Sequence, residues 1–148
     1  REHVLPNITN LEAIFEYQEG AADPWKSYNP SLPTWVIQDL ERLSRKEGYW
    51  IEMNASETIY VPGGLRMPTG IELVQGWNLA GYPTNQTKNI TLSLASIAGN
   101  YTEVRGFNAV TQTFLSHTPP AAGGLTQTSP GQGYWINVNA TTEVWVVD

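Results

Sequence analysis

The chain has no cysteine among its 148 residues, few basic residues and only two histidines. Without cysteine it cannot form disulfides, thiolate metal sites or cysteine nucleophiles. Eight Lys and Arg stand against 14 Asp and Glu, and this net charge of −6 argues against nucleic acid or an anionic membrane surface as the main partner. No segment approaches the roughly 18 consecutive apolar residues that a membrane span requires.

Glycine, proline and aromatic residues are plentiful instead. The 13 Gly and 10 Pro are spread between short apolar segments, a pattern typical of many turns between short strands. Hydrophobic residues make up 41% of the chain, which is enough for a packed core. We therefore predict a mainly β, sandwich-like fold of short antiparallel strands with one or two short helices.

An internal repeat is the most informative feature of the sequence. Residues 48–56 read Gly-Tyr-Trp-Ile-Glu-Met-Asn-Ala-Ser, and residues 133–141, 85 positions later, read Gly-Tyr-Trp-Ile-Asn-Val-Asn-Ala-Thr. Small changes in the offset between aligned segments are what differences in loop length produce. Two further pairs of segments align upstream: residues 10–17 with 100–107, and residues 25–30 with 114–119.

The two copies are predicted to differ in completeness. We assign residues 1–62 to the first copy, residues 63–70 to a linker and residues 71–148 to a complete second copy. The first copy has no counterpart of residues 77–83 or of most of residues 89–98. We therefore expect the chain to belong to a longer array, or a neighbour to supply the missing strand, because an unpaired sheet edge is a docking site for another chain.

Each copy of the motif is predicted to form a β-hairpin, since a second alternating segment follows it. Period-2 alternation and a three-residue loop fix which residues face each other. The predicted pairs are Ile51 with Ile59 and Trp50 with Tyr60 in the first copy, and Ile136 with Val144 and Trp135 with Trp145 in the second.

The remaining elements follow from periodicity and turn residues. Val36, Leu40 and Leu43 have helical spacing and predict a helix over residues 34–46 of the first copy only. Residues 89–98 predict a short helix behind an Asn or Thr cap. The predicted strands lie at residues 11–17, 25–28, 71–74, 77–83 and 101–107.

Six Asn-x-Ser/Thr sequons occur, although a Thr-rich chain can produce some by chance. Two of them occupy the same place in both copies, at the predicted hairpin tips. This coincidence predicts an exported, N-glycosylated protein. The sequons begin at Asn7, Asn54, Asn85, Asn89, Asn100 and Asn139.

Three segments of the second copy resemble a tandem repeat module of extracellular archaeal and bacterial surface proteins. They are Trp-x-Leu-x-Gly-Tyr-Pro at residues 77–83, Ile-Ala-Gly-Asn-Tyr at residues 97–101, and Pro-Gly-x-Gly-Tyr-Trp-Ile at residues 130–136. The resemblance implies an extracellular or cell-surface location and no particular chemistry. The first copy departs from it, with Arg-Lys-Glu-Gly at residues 45–48 in place of Pro-Gly-x-Gly.

No catalytic signature appears in the sequence. The His-Glu-x-x-His, Gly-x-Ser-x-Gly and phosphate-loop patterns are absent, and we expect neither a metal nor another cofactor. His117 aligns with Tyr28, which indicates a structural aromatic position. The leading hypothesis is a non-enzymatic structural or adhesive module of an array, sheath or filament, whose partners are other copies or neighbouring modules.

The alternative is a carbohydrate-binding module of a secreted enzyme, with polysaccharide as its partner. Exposed aromatic faces can stack on sugar rings. The competing interpretation, which we favour, is that these aromatics fill an interface between the copies. A secreted hydrolase is a distant third hypothesis with no residues to assign. The candidate stacking residues are Trp25, Trp50, Tyr60, Trp135 and Trp145.

Overall fold

The computed structural model describes residues 8–60, 64–121 and 123–148, and it confirms the predicted mainly β fold. In these residues the strands form three antiparallel sheets, joined by one short α-helix and a 3-10 turn. The helix α1 is Ile90–Ser93 and the 3-10 turn is Ala95–Ile97. The strands are β1 Leu11–Tyr17, β2 Trp25–Tyr28, β3 Tyr49–Met53, β4 Thr69–Gly81, β5 Lys88–Asn89, β6 Tyr101–Asn108, β7 Thr113–His117, β8 Gln127–Thr128 and β9 Gly133–Val147.

The repeat seen in the sequence is also a repeat of strand topology. The first copy forms a sheet in the order β2-β1-β3, and the second contains the matching order β7-β6-β9 with β4 added beside β9. Both sheets carry a register shift at the same place, near the start of β1 and of β6. The register matches as well: Ile14 lies opposite Tyr28 and Ile51, and Val104 lies opposite His117 and Ile136.

A tyrosine hydroxyl holds the loop before the last strand of each copy. The backbone N–H of Ser44 donates to the Tyr49 hydroxyl at 2.7 Å, and that of Ser129 donates to the Tyr134 hydroxyl at 2.7 Å. Burial raises the pKa of Tyr49 to about 12 and also raises the pKa of Tyr134. Both hydroxyls therefore stay neutral and keep these bonds across the physiological pH range.

The two larger sheets each have an apolar core, and the cores differ in size. Loop residue Leu40 closes the first core, where it is fully buried, and its backbone N–H donates to Ser27. The first core contains Ile8, Leu11, Ile14 and Leu40. The second contains Ile71, Leu73, Ala80, Tyr82, Ile90, Leu94, Ile97, Tyr101, Val104, Leu125, Tyr134, Ile136, Val138, Trp145 and Val147.

The predicted hairpin of the second copy is wrong. Strand β9 is continuous through the expected turn, and it pairs with β4 on both sides of residues 139–141. Those three residues form a bulge opposite Gln75, next to Gly76, whose φ of +103° suits glycine. One long partner satisfies the backbone of both halves of β9, so no turn is needed. For the same reason the strands predicted at residues 71–74 and 77–83 are one strand.

The pairings predicted from those hairpins are therefore wrong in both copies. Trp135 and Trp145 lie on the same strand, as do Ile136 and Val144. In the first copy, residues 54–60 form no strand, and Val61 lies outside the described residues. Here Trp50 pairs with Phe15 and Ile51 with Ile14. The segment after β3 runs towards β1 instead of back along β3, since the Glu57 carboxylate accepts from the N–H groups of Thr9 and Asn10.

The helix predicted over residues 34–46 is also wrong, because polar side chains in this segment bind strand β2 instead. The Asp39 carboxylate accepts from the backbone N–H of Ser27 at 2.7 Å, and the Gln38 amide oxygen accepts from that of Asn29. The helix predicted at residues 89–98 is confirmed as α1 and the 3-10 turn. Its expected cap is present, since the Asn89 side chain accepts from the Thr91 N–H.

The two copies meet at the end of β4. The backbone N–H of Gly48 donates to Leu79 and that of Gly81 donates to Lys46, while Glu47 bridges to Ala80. The predicted boundary residues 61–63 lie outside the described residues, so the assigned domain limits remain predictions.

We expect Gly81→Ala to destabilise the fold at this junction. A Cβ at Gly81 would lie 2.7 Å from the carbonyl oxygens of Arg45 and Glu47, which backbone pairing holds in place. Overpacking of this kind costs about 1–3 kcal/mol of unfolding free energy in urea titration. Gly64→Ala is the matched control, because nothing lies within 4 Å of its Cβ. Equal stability of the two variants would contradict the close approach.

Candidate functional site

The inner faces of the two sheets meet through aromatic rings. Trp135 of the second copy lies 5.0 Å from Tyr17 and 6.1 Å from Trp25, measured between ring centroids. Trp50 of the first copy lies 4.6 Å from Phe107 and 5.8 Å from Phe114. All four contacts join one copy to the other, so these rings form the interface between the sheets.

The contacts are reciprocal under the repeat. Trp50 and Trp135 are equivalent, and each packs on the same pair of positions in the other copy. The two rings of each pair also touch, at 5.1 Å for Tyr17–Trp25 and 5.2 Å for Phe107–Phe114. Edge-on aromatic contacts contribute about 0.5–1.5 kcal/mol beyond area burial, so the cluster stabilises the interface substantially.

The tilted rings line a small cavity of about 260 Å³ that is open to solvent. Its only charged lining residue is Arg105, whose guanidinium lies 4.7 Å from the centroid of the Trp77 ring. Arg105 also donates to Glu103 at 2.7 Å, and this hydrogen bond raises the pKa of Arg105 above its usual value. The cavity therefore combines apolar ring faces with a hydrogen-bonding group. Its lining residues are Trp25, Trp50, Trp77, Arg105, Phe114 and Trp135.

A larger open cleft of about 1390 Å³ runs along β3. One wall consists of β3 and the extended residues that follow it, including Ile59. The other wall consists of the β6–β7 turn, with Ala109 and Gln112, and of residues 131–133. The cleft offers both apolar side chains and the edge of a strand.

The predicted stacking residues divide into three groups. Trp25, Trp50 and Trp135 come together around the small cavity, as an interface between the copies requires. Tyr60 is 86% exposed and lines neither the cavity nor the cleft. Trp145 cannot stack on a ligand, because it is fully buried and its indole N–H donates to the Ser93 carbonyl at 2.7 Å.

Sequence reasoning missed three residues of the cavity, Trp77, Arg105 and Phe114. The shared parity of Trp77 and Leu79 in the Trp-x-Leu segment could have indicated Trp77, because it places both on the face of Trp135. Arg105 gave no comparable signal, since its counterpart in the first copy is Phe15. Arg105 reaches the Trp77 ring because β4 and β6 lie on either side of β9.

The predicted glycosylation sites are mostly accessible. Asn54, Asn85, Asn89 and Asn139 are exposed, Asn139 at the bulge of β9. Asn100 is half-buried, and its side-chain nitrogen donates to the Glu143 carboxylate at 2.7 Å. Asn7 lies outside the described residues.

The described residues contain no group of three or more metal-binding side chains, and no helix long and apolar enough to cross a membrane. His117 is buried, with its Nε2 3.4 Å from the Tyr101 hydroxyl. This fits the structural aromatic position predicted for it. His3 lies outside the described residues.

Two glutamates of the first copy have pKa values shifted in opposite directions. Hydrogen bonds from the N–H groups of Asn10 and Thr9 lower the pKa of Glu57 below its ordinary value of about 4.3. Burial, and then the negative charge of Glu16, raise the pKa of Glu47. Glu57 therefore adds stability that is lost as pH falls through its folded pKa, whereas the stability associated with Glu47 is lost as pH rises.

We expect Glu57→Gln to destabilise the protein at neutral pH and Glu47→Gln to stabilise it. Both differences from the wild type should shrink between pH ~7 and pH ~3, where the carboxylates become protonated. Urea unfolding at several pH values measures them, and each variant serves as the control for the other. Shifts of the same sign at neutral pH would show that the two environments are misassigned.

No protein-family model matches the chain, and comparison with curated proteins and with solved structures finds no match either. A role for the chain has to be inferred from the repeat, the aromatic interface, the cavity and the cleft. The cleft lies beside β3. Within the described residues, β3 has a partner strand on one side, whereas its counterpart β9 has partner strands on both sides.

Proposed function

We propose that the chain is a non-enzymatic structural or adhesive module of an extracellular or cell-surface protein, assembling with other copies or neighbouring modules. One observation carries the proposal: the two copies share a strand order, but in the described part of the chain only the second has a fourth strand. Strand β9 has β6 on one side and β4 on the other, whereas its counterpart β3 is an edge strand. An incomplete unit within a repeat is completed by association with a neighbour.

Three further observations support this role. The aromatic residues are largely used to hold the copies together. Several sequons lie on exposed residues, as N-glycosylation of a surface protein would require. The second copy also resembles a tandem module of extracellular proteins, through its Trp-x-Leu-x-Gly-Tyr-Pro and Gly-Tyr-Trp-Ile segments.

For native material we expect glycans on Asn54, Asn85, Asn89 and Asn139, and none on Asn100. A glycan is attached through the side-chain nitrogen, and in Asn100 this atom is half-buried and bonded to Glu143. Site-resolved glycopeptide mass spectrometry measures the occupancy. Asn100 is the internal control, and its modification with Asn54 and Asn139 left bare would contradict the assignment.

Sedimentation velocity of the purified chain over a range of concentrations tests the proposed assembly. We expect the weight-average sedimentation coefficient to rise with concentration, or complexes to form when a neighbouring module of the same protein is added. A chain that stays monomeric and binds no such module would contradict the proposal.

A carbohydrate-binding role is the second candidate, favoured by the small cavity lined by four tryptophans, Phe114 and Arg105. A sugar ring could stack on an indole face and hydrogen-bond to the guanidinium. Soluble polysaccharides would then change the tryptophan fluorescence of the chain. Trp25→Ala should abolish this change in protein that near-UV circular dichroism shows to be folded, and no response to any polysaccharide would eliminate this role.

A further inference from the structure

We propose that the cleft beside β3 receives an extended strand from another copy of the repeat, paired with residues 50–53 in the register that β4 adopts on β9. The inference rests on the proposed function, because it names the partner through which the module would assemble. The evidence is the difference between β3 and its equivalent strand β9.

Within the described residues, β3 has a partner strand along its length on one side only. On one side it pairs with β1. On the other side, within the described part of the chain, backbone hydrogen bonding to β4 is confined to residues 46–48, where Gly48 donates to Leu79. Beyond that point β4 continues along β9, and Leu79 is the one described residue of β4 among those that line the cleft. The junction with β4 is therefore continuous with an unpaired edge.

Apolar side chains of β3 are less buried than their counterparts in β9. Ile136 in the middle of β9 is 0% exposed, whereas its counterpart Ile51 in β3 is 42% exposed. Val138 is 1% exposed, and its counterpart Met53 is only half-buried. The apolar side chains of β3 are those of a central strand, but they are solvated like those of an edge strand. Natural sheets protect edges with Lys, Pro or inward charges, and β3 has only Glu52.

The lining of the cleft combines β3 with apolar side chains from the other copy. The cleft is lined by all five residues of β3 on one side, and by Phe107, Ala109 and Gln112 among the residues of the other. Such a groove suits an extended peptide, whose backbone pairs with the edge while alternate side chains enter apolar pockets. A sugar would leave the unpaired backbone groups of the strand unused.

The strand that pairs with β9, the counterpart of β3, identifies the occupant. In the second copy Leu79 lies opposite Trp135, Asn78 opposite Ile136 and Trp77 opposite Asn137. Carried to the first copy, this register places Leu opposite Trp50, Asn opposite Ile51 and Trp opposite Glu52. The partner is therefore a strand with the Trp-Asn-Leu pattern of β4, running antiparallel to β3.

The test is a titration of the isotope-labelled full chain with an acetylated, amidated peptide of residues 74–80, which ends before the positions that the chain's own β4 occupies at residues 46–48, followed by NMR. We expect saturable shifts of the amides of residues 50–53. Ile51→Asp should weaken binding at least about tenfold, because burying an unpaired charge disfavours the complex. Ile37→Asp is the matched control, since Ile37 is 95% exposed and lines neither the cleft nor the cavity.

Ile51→Thr is a second variant that preserves the β-branched side chain and should also weaken binding, by a smaller factor. Near-UV circular dichroism checks that each variant is folded. A peptide with Trp77 and Leu79 both replaced by Ser should not bind. No shifts, shifts confined to β9 as in strand exchange, or equal affinity of the wild type and Ile51→Asp would overturn the proposal.

Two outcomes separate this inference from the proposed function. Self-association in sedimentation without peptide binding would leave the assembly role standing and overturn the strand site. Peptide binding at residues 50–53 by a chain that stays monomeric, and that binds no neighbouring module, would support the site and contradict the assembly role. A soluble oligosaccharide that shifts these amides when the peptide does not would also overturn the strand site.

Discussion

The fold depends on a reciprocal contact between two equivalent tryptophans and the opposite copies of the repeat. Trp50 packs on Phe107 and Phe114, while Trp135 packs on Tyr17 and Trp25. The arrangement turns the aromatic faces of both sheets towards each other, with Trp25 and Phe114 still 41% and 49% exposed. Because the rings meet at steep angles, they do not fill the space completely, and the small cavity remains between them. Packing and the potential for ligand binding therefore arise from the same residues.

The asymmetry between the copies follows from one strand. Strand β4 covers β9 over its full length and contributes Ile71 and Leu73 to the larger core. Among the described residues, the backbone of the first copy hydrogen-bonds to β4 at residues 46–48 alone, and the smaller core of this copy is closed by loop residue Leu40. Two units with the same three-strand register thus differ in core size and exposure, and the first presents its edge strand β3 to the cleft. The proposed role in assembly depends on this difference.

The sequence could predict the repeat, the mainly β fold and strands β1 and β2, because alternation and alignment depend on local residues. It could not predict that β9 continues past Asn139, since a long neighbouring strand overrides a local turn signal. Nor could it predict that residues 34–46 form no helix, because the bonds of Asp39 and Gln38 to β2 are non-local. Trp25, Trp50 and Trp135, which the sequence suggested as stacking residues, do line one cavity, whereas the place of Arg105 depended on strand order.

Paired double-mutant cycles test the reciprocal contact most directly. Leucine substitutions should show coupling energies of about 0.5–1.5 kcal/mol between Trp50 and Phe107 and between Trp135 and Tyr17. The crossed cycles, Trp50 with Tyr17 and Trp135 with Phe107, should be additive within about 0.5 kcal/mol. Coupling in the crossed cycles and additivity in the first two would mean that each tryptophan packs within its own copy, and would contradict the interface described.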